Sequence, residues 1–224
     1  MTAMKLPRAR AILFDLDGTL VDSRKDIAAA CNHALAAVGR PPLDEATIAG
    51  FVGDGARMLL SRALQTGAGA EPILDEALAR FQAFYARHAA DHTTWMPGAL
   101  DALEALTDRA LALVTNKPRE ATLAVLEALG QGARFGAIVA GGDGPLKPDP
   151  RAVHAALGPL HVLPAEAWMV GDGRQDIEAG RAAGCSTVAV RGGFGTAEQL
   201  AAARPDCTLD SLVGLVALVR ASDA

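Results

Sequence analysis

Five short apolar runs, Ala11–Phe14, Leu111–Val114, Ala137–Ala140, Trp168–Val170 and Thr187–Val190, each stop at a polar or turn-forming cluster. Runs of three to five apolar residues bounded in this way read as buried strands. Between the later ones lie single helical patterns, at about residues 120–129, 151–157 and 176–183, and a helix carrying Leu100, Leu103 and Leu106 precedes the second run. Strands that alternate with single helices are joined by right-handed crossovers and build a parallel, doubly wound sheet of the Rossmann-like α/β kind. Asp206–Leu209 and Leu212–Val219 extend the pattern by a last short strand and helix. Ligands of such sheets bind at the carboxyl ends of the strands, and there this chain collects its polar residues.

The alternation is interrupted once. From Val21 to Trp95 no strand pattern is convincing, and three apolar faces recur at helical spacing instead: Ile27, Cys31, Ala34, Leu35 and Val38, closed by Gly39; Leu59, Leu60, Ala63 and Leu64; and Leu74, Leu78, Phe81 and Tyr85, with Glu71-Pro72 as a start. A helical block inserted after the first strand cannot join the sheet. The expected organisation is a core of residues 1–20 and 95–224 with a helical cap, residues 21–94, packed over the site.

The first run ends in Asp15-Leu16-Asp17-Gly18-Thr19. Carboxylates two residues apart in extended chain point the same way. At about 4 Å and an effective dielectric near 20 they repel by roughly 4 kcal/mol, so together they call for a cation, and oxygen donors suit Mg²⁺. Asp-Gly-Thr is equally an ordinary turn and capping sequence. The other strand ends decide between the two readings. Thr115-Asn116 follows the second run, Lys147-Pro148 follows the third, and Gly171-Asp172-Gly173-Arg174-Gln175-Asp176 follows the fourth.

These four motifs, in this order and spacing, resemble the haloacid dehalogenase-like phosphohydrolases over nearly the whole chain. Within that family Thr115-Asn116-Lys117-Pro118 and the stretch Phe51-Val52-Gly53-Asp54-Gly55-Ala56-Arg57 look most like the bacterial phosphoglycolate phosphatases. The resemblance implies a Mg²⁺-dependent phosphomonoester hydrolase with Asp15 as nucleophile, giving an aspartyl-phosphate, and Asp17 as general acid and then base. It implies a metal held by Asp15, Asp172 and the main-chain carbonyl of Asp17, with Asp176 behind them, binding through water or orienting Lys147. Lys147 would supply fixed positive charge, and the Thr115 hydroxyl and Asn116 amide would hold phosphoryl oxygens. An acidic residue at Asp17 favours phosphate esters over haloacids or phosphonates. Many relatives carry a hydroxyl residue where this chain has Gly173, which puts one supporting hydrogen bond in question. In the helical block, Gly53 and Arg57 are candidates for substrate contact, Arg57 through a bidentate grip on a small carboxylate; a tight turn and a solvated arginine account for the same residues. The expected substrate is 2-phosphoglycolate. Another sugar, amino-sugar or nucleotide phosphate, a phosphohexose mutase reaction, or a phospho-acceptor protein without turnover stand as alternatives.

Composition narrows the partners. A formal net charge of −5 and the lack of a Lys/Arg block argue against nucleic acid. No apolar run approaches the roughly 20 residues of a membrane span, and the basic start Met1–Arg10 leads into a run too short for a signal peptide, so a cytoplasmic monomer or homodimer acting on a small phosphorylated metabolite is expected. Cys31, Cys185 and Cys207 read as reduced core residues, and the five scattered histidines carry no ligand spacing.

Overall fold

The computed structural model describes residues 6–65 and 71–223. Residues 1–5 of the basic start and 66–70 of the helical block lie outside them. The first strand, β1 (Ala11–Phe14), is followed by a two-residue strand, β2 (Val21–Asp22), and by four helices, α1 (Arg24–Ala37), α2 (Glu45–Ala49), α3 (Ala56–Leu64) and α4 (Glu71–His88). The chain returns through β3 (Thr94–Trp95) and then alternates: α5 (Ala99–Ala105), β4 (Ala110–Pro118), α6 (Arg119–Ala128), β5 (Ala137–Gly141), α7 (Arg151–Leu160) and β6 (Ala167–Gly171). It ends with α8 (Arg174–Ala183), β7 (Ser186–Val190), α9 (Ala197–Ala203), β8 (Cys207–Leu209) and α10 (Leu215–Asp223).

The large sheet has six strands in the order β5-β4-β1-β6-β7-β8, all pairs parallel. It is the doubly wound arrangement expected, and its order reverses between β1 and β6, where a crevice opens at the strand ends. Strand period explains the core. Ile12, Phe14, Leu111, Leu113, Trp168 and Val170 pack on one face, while Leu13, Ala112, Val114 and Met169 pack on the other. Because both faces are covered, these strands read as unbroken apolar runs and not as alternation.

The helical block closes on the first of these faces, in one continuous apolar cluster with it. Ile27, Cys31, Ala34 and Leu35 are buried along α1, and Leu74, Phe81 and Tyr85 along α4; of the expected α4 face, Leu78 is only partly buried. Gly39, at φ +69°, ends α1, and the Arg40 amide closes the turn on the Leu35 carbonyl at 2.9 Å. Truncating Phe81, 2% exposed, to alanine costs about 3–5 kcal/mol by the usual measure of an aromatic core cavity.

Three elements depart from the sequence reading. α2 is a five-residue helix capped by Asp44, whose carboxylate accepts from the Thr47 amide at 2.8 Å. β2 and β3 form an antiparallel ribbon, Val21 opposite Trp95 and Asp22 opposite Thr94, at the two ends of the helical block where no strand was expected. Buried Asp26 of α1 reinforces the junction by accepting from the His92 amide and the Thr93 hydroxyl. The cysteines are free thiols, and burial pushes Cys31 and Cys185 up to about 11. Among the described residues no helix is long and apolar enough to cross a membrane.

Candidate active site

β1 and β6 run in register, Phe14 beside Val170, and the Asp15 amide donates to the Val170 carbonyl at 3.0 Å. Asp15 and Asp172 are therefore the first residues beyond two adjacent strands, Asp172 one residue further along, where the sheet order reverses. A cavity of about 170 Å³ opens there, between the strand ends and the helical block. Asp15, Asp17, Thr115 and Lys117 line it from the sheet side, and Gly53, in the turn before α3, and Tyr85 of α4 from the helical block.

Lys147 organises its floor. Its ammonium, on a side chain 1% exposed, donates to Asp15 Oδ1 at 2.7 Å, Asp176 Oδ1 at 2.6 Å and the Val114 carbonyl at 2.5 Å. Asp176 is engaged at both oxygens, since Oδ2 accepts from the Gly173 amide at 2.9 Å. Asp172 is held equally firmly: Oδ1 accepts from Thr19 Oγ1 at 2.7 Å, and Oδ2 from the Phe194 amide at 2.7 Å. Gly173 has no side chain to add to this and offers its amide to Asp176; the hydroxyl on Asp172 is that of Thr19. Gly18 makes the approach possible, because at φ +87° a Cβ would lie 2.4 Å from Asp172 Oδ2. Arg24 steadies the Gly192–Gly195 loop that carries the Phe194 amide, donating to the Gly192 carbonyl at 2.9 Å and standing over the Phe194 ring.

The charges do not balance. Asp15, Asp172 and Asp176 bring oxygens within 4.8 Å of one another, all buried, against the single ammonium of Lys147. Burial pushes the Asp15 carboxyl well above its usual range, and Asp176 and Asp172 add to the shift that Lys147 opposes. Burial, with Asp176 beside it, brings Asp172 to about 6. For Lys147, burial acts downward, but Asp15 and Asp176 more than offset it and hold the ammonium above the ordinary lysine value. A buried, all-oxygen cluster with excess negative charge fits a hard divalent cation. Asp15 and Asp172 would hold it; Asp176, spent on Lys147 and Gly173, stands behind them.

Asp17 occupies a different environment two residues from Asp15. Its Oδ1 accepts from Ser23 Oγ at 2.6 Å and from Lys117 Nζ at 2.9 Å, apart from the acidic cluster. Lys117 in turn meets the Tyr85 hydroxyl and lies 4.3 Å from that ring's centre. Burial pushes the Tyr85 phenol well above its usual value, with Asp17 and Asp26 acting the same way, so it stays protonated. Ser23, Lys117 and Tyr85 were not among the expected site residues. The signal available was the motif stretch Thr115-Asn116-Lys117-Pro118, whose third residue is a charged side chain buried like the two before it.

The remaining candidates divide. Thr115 and Asn116 line the cavity, and the Asn116 side chain binds the chain together, donating to the Gly53 and Lys147 carbonyls and accepting from the Lys147 amide. Gly53 lines it too. Arg57 does not: it lies on the outer surface, paired with Glu71 and with Asp75 at 2.6 Å. The first turn of α3 faces the start of α4, whose acidic residues hold the guanidinium there. From the same helix Arg62 reaches the cavity wall, bound to Asp54 and to the Phe51 carbonyl at 3.0 Å.

A family model described as haloacid dehalogenase-like hydrolase matches residues 12–190. A phosphoglycolate phosphatase of Chromobacterium violaceum is 39% identical over 223 residues, covering 97% of this chain and 99% of that one. One from Pectobacterium atrosepticum is 35% identical, covering 96% and 94%. The crystal structure of a predicted phosphoglycolate phosphatase from Haemophilus somnus superposes with a TM-score of 0.83 at 29% identity, covering 97% of this chain and 99% of that one.

Proposed function

The chain belongs to the haloacid dehalogenase-like hydrolases and is a phosphatase, and from that premise we propose that it hydrolyses 2-phosphoglycolate to glycolate and phosphate through an aspartyl-phosphate on Asp15. The observation that carries the reading is the separation of two neighbouring carboxylates by environment: Asp15 lies beside Lys147 and the acidic cluster, whereas Asp17 is held by Ser23 and Lys117. Two carboxylates in two settings take two roles.

In the first half-reaction an Asp15 oxygen attacks phosphorus, and the P–O bond to glycolate breaks as Asp17 gives that oxygen its proton. Of the Asp15 oxygens, Oδ1 is tied to Lys147, which leaves Oδ2 to attack. In the second, a water loses a proton to Asp17 and attacks the aspartyl-phosphate, regenerating Asp15 and releasing phosphate. The Thr115 hydroxyl donates to the equatorial oxygens, and a preorganised donor of this kind is worth about 10²–10³ in kcat; Lys147, its three N–H groups engaged by Asp15, Asp176 and the Val114 carbonyl, acts on them through its charge. When bound, Mg²⁺ held by Asp15, Asp172 and the Asp17 carbonyl would supply the remaining positive charge for phosphoryl transfer. The helical block acts as a cap that excludes bulk water during attack and turns about its junction with the sheet for release. A cavity of about 170 Å³ suits a two-carbon phosphate better than a nucleotide.

The test is phosphate release from a panel of small phosphorylated metabolites, in Mg²⁺ and in chelator, with the Asp15→Asn protein as background. A lead of about tenfold in kcat/KM for 2-phosphoglycolate, a transition-state preference near 1.4 kcal/mol, supports the substrate. Activity that needs Mg²⁺ and Asp15 but spreads over sugar phosphates overturns it and leaves the mechanism. Turnover by the Asp15→Asn protein above about a tenth of wild type overturns the nucleophile.

A further inference from the structure

Lys117 is the most deeply buried cation on the cavity wall. Its side chain is 1% exposed, against 36% for Arg62 and 46% for Arg174, and both arginines are engaged by Asp54. An ammonium has three N–H donors. The described residues supply two acceptors, Asp17 Oδ1 and the Tyr85 hydroxyl, which leaves one N–H for the cavity that Lys117 lines. While ionised, Asp17 balances this charge; when Asp17 carries the proton that it gives to the leaving oxygen, the ammonium has lost its anion, and an anion in the cavity completes it, because charged groups removed from water need a partner.

The position of that anion follows from Asp17. Asp17 serves the ester oxygen of the substrate, and Lys117 Nζ stands 2.9 Å from the same carboxylate. In a phosphoester of a 2-hydroxy acid the carboxyl carbon lies two bonds, about 2.4 Å, from that oxygen. Resting on the phosphoglycolate reading above, we infer that Lys117, backed by Tyr85, is the specificity residue that receives the substrate's carboxylate. A substrate with an alcohol or a methylene at this place would leave the ammonium without an anion for as long as Asp17 is protonated, so discrimination here acts by rejection as well as by attraction. A role confined to holding Asp17 predicts instead an equal loss for every substrate.

The experiment compares 2-phosphoglycolate with ethyl phosphate, which has the same two-carbon frame and no carboxylate, on wild type, Lys117→Met and Lys117→Gln. The quantity read is the ratio of kcat/KM for the two substrates. We expect the wild-type preference for phosphoglycolate to shrink by about tenfold or more in both variants, mainly through a raised KM for phosphoglycolate. Whatever the two substrates lose in common reports the hold of Lys117 on Asp17. If the Met variant is unfolded by circular dichroism, the Gln variant, which can still donate to Asp17, carries the comparison alone. A preference that survives in the variants within about twofold overturns the role of Lys117 and leaves the substrate standing. A wild type with no preference for the carboxylate overturns the substrate itself, and the inference with it.

Discussion

Replacing Lys147 by methionine removes the one positive charge among three buried carboxylates while keeping the volume of its stem. Its side chain is 1% exposed and those of Asp15 and Asp176 are 9% and 0% exposed, so the groups left behind cannot turn to water. Breaking a buried pair by deleting one partner costs about 3–5 kcal/mol. In a domain of this size each kcal/mol moves the melting temperature by about 2–4 °C, so the loss amounts to about 6–20 °C in chelator. Two companions separate charge from packing. Mg²⁺ at a hundred times its dissociation constant should return about 2.7 kcal/mol to wild type and variant alike if it binds the native state alone. In the Lys147→Met background, Asp176→Asn should restore about 1–3 kcal/mol, because it removes a buried charge that has lost its partner, whereas in wild type the same change breaks a pair. Thermal unfolding by circular dichroism over the four-protein cycle, in EDTA and in Mg²⁺, measures each term. A Lys147→Met protein within about 1 kcal/mol of wild type in EDTA, or an Asp176→Asn change no more stabilising in that background than in wild type, would refute the account of this cluster as one ammonium shared between too many carboxylates.

Three further perturbations test the neighbouring parts. Asp17→Asn should slow esters of poorly leaving alkoxides far more than aryl esters, and an equal loss across a leaving-group series would remove Asp17 as the proton donor. Arg57→Ala should leave KM for phosphoglycolate within about twofold of wild type, since the guanidinium is spent on Glu71 and Asp75 at the surface; a clear rise would return Arg57 to the site. Arg24→Ala frees the loop whose Phe194 amide holds Asp172, so the Mg²⁺ concentration for half-maximal activity should rise by about tenfold, as read from metal titrations of activity and of thermal stability; an unchanged midpoint would show that the loop holds itself.

Asp15, Asp172 and Lys147 were legible because the sequence marks strand ends: each follows an apolar run, and in a parallel sheet those ends meet. The limits of β1 were legible to the residue for the same reason. β2 and β3 were not, because two residues are too few for any periodicity, and only their pairing with each other makes them strands. Arg57 and Arg62 show what a helical pattern leaves open. Five residues apart, they point about 140° from one another around α3, and which of the two faces the cavity depends on how α3 docks. Lys117 escaped for another reason. The ladder between β4 and β5 shifts register between Val114 and Pro118, and in that irregular segment no alternation rule assigns a side to a residue. Tyr85 read correctly as part of an apolar face; that its hydroxyl ends on a buried ammonium is decided by the meeting of two segments 32 positions apart.

The ribbon of β2 and β3 has an evolutionary corollary. Opposed residues of an antiparallel pair stand about 5 Å apart, so the chain departs from the sheet and rejoins it at nearly one point. Whatever is threaded between Asp22 and Thr94 imposes no spacing on the strands, in the way that an excursion from a loop imposes none on its scaffold. The reacting carboxylates can thus stay fixed in the crevice while the excursion is lengthened, shortened or exchanged. New substrate preferences become reachable by replacing a lodger, without moving a wall of the house.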